Sequence, residues 1–239
     1  MPLSISSLKV AVASVLFLFG CSWACFAQVL VQSAKNEYPN LIYDAKLIRK
    51  NYSYSSFITS TITFHDSSFV KAPLNYNMLL REMHFVTEEG DTLALANGEG
   101  IAGIKIDNDF YQYVPPYGFL LIFASLKKVN LSAQLMTTPR VFGTGKLYQT
   151  ILLTEDSTSR QLRDMRGNTI FVRDSHFFLV DKNNTPYKIN TSNLKSILLK
   201  LYPNHRREIN QYLRKNANSL TKTKDLITLL EYIDQLSVQ

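Results

Sequence analysis

The sequence predicts an α+β fold: a mainly antiparallel β-sheet domain over residues 28–189, followed by a small C-terminal bundle of about three short helices over 190–239. Three observations carry that prediction. Residues 57–64 alternate strictly, with Ile58, Ser60, Ile62 and Phe64 on one side of a strand and Phe57, Thr59, Thr61 and Thr63 on the other. Short polar clusters such as Glu88-Glu89-Gly90-Asp91 and Asp107-Asn108-Asp109 punctuate the apolar runs at hairpin spacing. At Asn190 the apolar period changes from two to the i, i+3, i+4, i+7 of a helix.

The chain begins with an export signal. Lys9 is the only charge before Lys35, and the apolar run from Val10 to Phe19 leads into small residues, as a secretory signal peptide requires. Cys25 and Ala27 supply the small side chains at positions −3 and −1 of a cut after Ala27, which leaves 212 residues carrying +6 once Lys9 is lost. Leu18-Phe19-Gly20-Cys21 also resembles a lipobox, in which Cys21 would be lipidated. The uncharged stretch from Val10 to Ala34 is long enough for a retained span, although Gln28, Gln32 and Ser33 weaken its second half. Both cysteines lie in this leader, so the processed chain has no thiol for catalysis, zinc or a disulfide. Its stability must come from a hydrophobic core, and 46% hydrophobic residues with 12% aromatics suffice for one.

Residues 38–188 read as mostly strand-like. Arg81 to Thr87 and Thr92 to Asn97 form one expected hairpin and Gly103 to Ile106 and Phe110 to Val114 a second; Phe119 to Ser125 reads either as a strand paired with Val129 to Leu135 or as a short buried helix, which periodicity alone does not settle. The strand pattern stops at Thr137-Thr138-Pro139 and resumes over Leu147 to Thr154; Glu155 to Arg166 reads as a loop with a helical turn. Thr169 to Val172 and His176 to Asp181 read as two strands, the second closing on Pro186 to Ile189. Thr191 or Ser192 is the expected cap of a helix bearing Leu194, Ile197, Leu198 and Leu201 on one face. Pro203 ends it and starts the next, and a third helix runs from about Lys222 to Leu236.

The segments Leu74-Asn75-Tyr76-Asn77, Glu82-Met83-His84-Phe85, the run from Gly90 to Asn97 and Ile104-Lys105-Ile106, with the tail segments Phe177 to Lys182, Leu194 to Tyr202 and Arg207-Glu208-Ile209, resemble a group of uncharacterised secreted proteins of Bacteroidetes bacteria. The resemblance covers most of residues 60–236. It implies an exported protein of the periplasm or outer membrane and brings no active residues with it.

Catalytic and cofactor patterns are lacking. The four histidines are dispersed without HxH or HExxH spacing, so no metal site and no cofactor are expected. His84 and His176, inside predicted strands, read as hydrogen-bonded structural histidines. His65-Asp66 is an acid/base pair in want of a nucleophile, and no Gly-x-Ser-x-Gly elbow supplies one. Gly143-Thr144-Gly145-Lys146 has Arg140 and Leu147 where a phosphate loop needs glycine and Ser or Thr. Asp107-Asn108-Asp109 and Glu88, Glu89 and Asp91 read as solvated turns.

Charge is the feature above background. Between Lys188 and Lys224 nine Lys and Arg stand against Glu208 alone. Lys195, Lys200, Arg206, Arg207, Arg214 and Lys215 are the expected anion- or partner-binding residues, against the plainer reading of a solvated basic face. An envelope offers lipid A phosphates, anionic lipids, peptidoglycan or an acidic envelope protein as partners, with peripheral membrane association; no nucleic acid is expected in that compartment. The leading function is a non-enzymatic binding or accessory module of the envelope. Two others stay open: a carrier of a lipid or small apolar ligand in a sheet pocket, and a hydrolase pairing Asp107 or Asp109 with Glu82.

Overall fold

In the computed structural model, residues 45–96, 98–141, 162–163, 169–216 and 223–236 are described, and Asp44–Gln239 form one compact unit. The expected leader with Cys21, the turn expected at Gly143–Lys146 and the strand expected over Leu147 to Thr154 lie outside the described residues. A short helix α1 (Ala45–Lys50) precedes the sheet, a correction to the strand-like reading of that stretch. Eleven strands follow: β1 (Ile58–Phe64), β2 (Phe69–Asn77), β3 (Glu82–Val86), β4 (Thr92–Ala94), β5 (Ile101–Ile106), β6 (Asp109–Val114), β7 (Gly118–Ser125), β8 (Val129–Val141), β9 (Leu162–Arg163), β10 (Thr169–Asp181) and β11 (Pro186–Ile189). They form one sheet in the order β11-β10-β8-β7-β6-β5-β1-β2-β3-β4, with β9 also on β10. Helices α2 (Leu194–Leu201), α3 (Arg206–Lys215) and α4 (Thr223–Leu236) complete the α+β fold.

Among the described residues every pairing is antiparallel; the two expected hairpins are present as β3–β4 and β5–β6, and Phe119 to Ser125 is a strand rather than a helix, paired in β7–β8. The expected gap at Thr137–Pro139 is a strand instead. β8 pairs with β10 without interruption from Val129↔Asp181 to Val141↔Thr169, which also fuses the two strands expected over Thr169 to Asp181 into one. Proline is tolerated at position 139 because β7 pairs with β8 only up to Ala133, so on that side of β8 the nitrogen of residue 139 faces no partner strand among the described residues. The two residues of β9 fall inside the expected loop.

One cross-strand row runs through seven strands: Ile62, Ile104, Tyr111, Leu121, Ala133, Phe177 and Ile189 are successive partners. All seven are buried, so a single face of the sheet is covered along its length, by two different means. Over β1–β3 and β5–β7 the sheet curls on itself around Leu74, Tyr76, Met83, Ile104, Tyr111 and Phe119. Thr137 N donates to Met78 O (2.9 Å), tying β8 to the β2–β3 turn. Over β8, β10 and β11 the helices cover Leu131, Phe177 and Leu179 with Leu198, Ile209, Leu226, Leu229, Leu230 and Ile233. Each such burial is worth about 2 kcal/mol, enough to hold short helices that would not persist alone. The opposite face carries a small cluster of Val114, Leu120, Phe178 and Val180 under Tyr117.

Candidate functional site

The six predicted cations sit on the helical layer and all are exposed. α2 turns Leu194 and Leu198 inward and leaves Lys195 and Lys200 outside. α3 buries Ile209, and Tyr212 stacks on Tyr232 of α4 with ring centres 5.2 Å apart. That fixes the rotation of α3 and turns Arg206, Arg207, Arg214 and Lys215 to solvent. Arg207 and Arg214, seven residues apart, fall on one side of α3 about 10 Å apart along its axis.

Among the described residues none of the six cations is in an ion pair. Lys200 Nζ lies 4.9 Å from the centre of the Tyr187 ring, and Arg214 Nε donates to Asn210 O at 3.4 Å. α2 and α3 are packed neighbours. Arg214 and Lys215 occupy the last turn of α3, where the helix dipole favours cations. Arg206 and Arg207 occupy the first turn, where it opposes them by about 0.3–1 kcal/mol each.

Neither Thr191 nor Ser192 caps α2, which corrects the expected cap: Asn193 is the N-cap and makes no side-chain cap bond. Asn190 Oδ1 instead accepts from the backbone N–H of Ser192 and of Asn193 (3.0 Å each), and Asn193 Oδ1 accepts from Asn190 N at 2.8 Å. This reciprocal pair makes a rigid corner between β11 and α2.

A second feature is a cleft of about 320 Å³ lined by His65, Glu99, Gln112, Asn130, Asp181 and Lys182, among others. Asn130 Nδ2 donates to Gln112 Oε1 (2.7 Å), and Ser125 Oγ donates to Asn130 Oδ1 (2.8 Å). The β10–β11 turn closes one side: Asn184 Nδ2 donates to Tyr113 O at 3.1 Å, and Asp181 Oδ1 accepts the N–H groups of Asn183 and Thr185 at 2.9 Å each. Desolvation pulls the Asp181 carboxyl upward, but those backbone donors outweigh it and hold it below the usual carboxylate range. Glu99 belongs to a 3-10 turn (Gly98–Gly100) whose Gly100 O accepts from His65 N.

Two buried polar chains support the scaffold. Tyr52 OH lies 2.8 Å from His84 Nδ1, and His84 Nε2 lies 3.1 Å from Glu82 Oε2, so both ring nitrogens of a 4% exposed histidine are bonded. Tyr54 OH donates to Asp109 Oδ2 (2.5 Å) and lies 3.0 Å from Tyr111 OH. Glu82 and Asp109 thus have separate partners, while Asp107 Oδ2 accepts from Asn108 at 3.4 Å. Asp66 accepts from Ser68 N and Oγ, which hold its carboxyl low within its own turn. His176, in β10, has Nδ1 3.3 Å from Lys188 Nζ; its pKa is lowered by partial burial and then by that cation. Among the described residues no group of three or more His, Cys, Asp or Glu is placed to hold a metal ion, and no helix is long and apolar enough to cross a membrane.

Sequence reasoning reached the cations through their local density. It missed Glu99, Gln112, Asn130 and Lys182, which come from four separate elements and carry no shared motif; only the turn chemistry of Asn183-Asn184 marked their neighbourhood. No protein-family model matches the chain, and no curated protein or solved structure matches it at a significant level.

Proposed function

We propose that this is an exported, non-enzymatic envelope protein that acts as a binding or accessory module, docking an anionic envelope component through Lys195, Lys200, Arg206, Arg207, Arg214 and Lys215. The observation that carries the reading is the pair Arg206 and Arg207: they are exposed in the first turn of a helix whose dipole disfavours them, a placement that helix stability does not explain. A rigid base supports it, since the helices share one hydrophobic core with the sheet. The leader and the resemblance to secreted Bacteroidetes proteins motivate the compartment. The carrier alternative is less favoured because the interior of the curl is filled by its own side chains, Tyr76, Tyr111, Leu74 and Met83 among them.

The test reverses Arg206, Arg207, Arg214 and Lys215 to Glu and follows fractionation with envelope membranes. Near an anionic surface each Lys or Arg contributes about 1 kcal/mol, so losing four lowers partitioning by roughly three decades. The variant should keep its far-ultraviolet circular dichroism and move to the soluble fraction. Unchanged fractionation of the folded variant would count against the basic face.

A further inference from the structure

We propose that the cleft between the 3-10 turn and the β10–β11 turn binds a sugar residue of a glycan. This goes beyond the basic helical face and does not depend on it. The space, about 320 Å³, is at the small end of ligand pockets, which run from roughly 300 to 1,000 Å³. Its lining mixes the amides of Gln112, Asn130 and Asn184 with two acids, Glu99 and Asp181, and two basic groups, His65 and Lys182, beside Ile101, Ala102, Tyr113 and Pro115. Charges of both signs do not suit a multiply charged anion, and a lining that mixes hydrogen-bonding with apolar groups does not suit a pure hydrocarbon. A ring of hydroxyls, each both donor and acceptor, matches it.

The amides are set before any ligand arrives. Gln112 Oε1 is occupied by Asn130 Nδ2, which leaves the Gln112 amide nitrogen to donate, and Asn130 is itself oriented by Ser125. Asn184 is anchored to the backbone of Tyr113, which holds the turn bearing Lys182 against β6. Glu99, exposed, adds acceptors to the same cleft. Donors held in place before binding reduce its ordering cost, and an open cleft of this size fits a weak, reversible contact.

The test is saturation-transfer NMR of the purified protein with glucose, galactose, mannose, N-acetylglucosamine and glucuronic acid, each at millimolar concentration. The expected result is saturation transfer to at least one of these sugars, weakened about tenfold by Gln112→Ala and by Glu99→Gln, the cost of one hydrogen bond to a charged or fixed partner. Both variants should keep the wild-type near-ultraviolet spectrum, and the fourfold reversal on α3 should bind the same sugar as before. No transfer to any of the five, or transfer that both folded cleft variants leave unchanged, overturns the proposal.

Discussion

Gly98 lies flat against the ring of Tyr113: a β-carbon built on the glycine would stand 2.1 Å from Tyr113 Cδ2. Tyr113 cannot yield easily, because its ring packs edge-on against Phe119 with centres 5.2 Å apart. The glycine thus lets the 3-10 turn bring Glu99 down to the cleft. Gly98→Ala is expected to cost about 1–3 kcal/mol, as overpacking does, read as a lower urea midpoint. A midpoint equal to wild type would show that the turn is not pinned by this contact.

Asn75 is a buried clamp. Its Nδ2 donates to Tyr54 O and Ser56 O (2.9 and 3.0 Å), and its Oδ1 accepts from Tyr54 N. Asn75→Ala leaves these backbone groups without that partner, at about 1–3 kcal/mol for each that stays buried. The variant should lose several kcal/mol in chemical denaturation, with faster hydrogen exchange over residues 51–57. Slow exchange there would mean that other bonds hold the segment.

Tyr76 and Tyr54 should respond oppositely to removal of a hydroxyl. Tyr76 is fully buried and stacked on Tyr111, and its hydroxyl has no hydrogen-bond partner among the described residues. Tyr76→Phe is therefore expected to be neutral or to stabilise by up to about 1 kcal/mol, whereas Tyr54→Phe, which removes a bond to the Asp109 carboxylate, should cost about 2 kcal/mol. Equal effects in thermal or urea unfolding would refute the distinction.

Alkaline pH should unfold the protein through its buried phenols. Burial is the first cause that raises Tyr54, Tyr76 and Tyr111 well above the ordinary tyrosine range, reinforced for Tyr54 by Tyr111 and Asp109, and burial with the Asp234 carboxylate pushes Tyr202 up to about 12. Below pH 10 these groups are protonated folded and unfolded, so their contribution is complete. Above about pH 10 the unfolded chain releases protons that the folded chain keeps, and stability falls. For Tyr76 and Tyr111 the slope is about 1.4 kcal/mol each per pH unit. Urea midpoints should drop from pH 10 upward, and Tyr111→Phe should make that drop shallower. A flat midpoint between pH 9 and 11 would contradict the assignment.

The strands with alternating apolar residues and clear turns were legible: β1, the β3–β4 and β5–β6 hairpins, and α2 and α4 stand where periodicity places them, whereas the uniformly apolar run of β7 read equally as a buried helix. β2 gave no such signal, because Pro73, Asn75 and Asn77 are poor strand formers; the two asparagines are there for their amide bonds. Arg173, Asp174 and Ser175 broke the apolar pattern of β10, yet pairing with Thr137, Met136 and Leu135 of β8 keeps the strand continuous. The basic residues of the tail were legible as a charge run. The cleft was not, because its groups meet only after β6, β8 and the β10–β11 turn have been brought together by pairings far apart in the chain.

The strand order consists of three runs of neighbours, β1 to β4, β5 to β8 and β10 to β11, joined along the seam between β1 and β5 and the ladder between β8 and β10. Most of the sheet can therefore form hairpin by hairpin as the chain becomes available, and only that seam and the β8–β10 ladder must close long stretches of chain. Assembly of the α2–α4 layer must wait for that ladder, since Leu131, Phe177 and Leu179 offer the helices a surface only once β8 and β10 lie side by side. The surface that bears the cations thus depends on the β8–β10 ladder, and its presence reports that this pairing has formed.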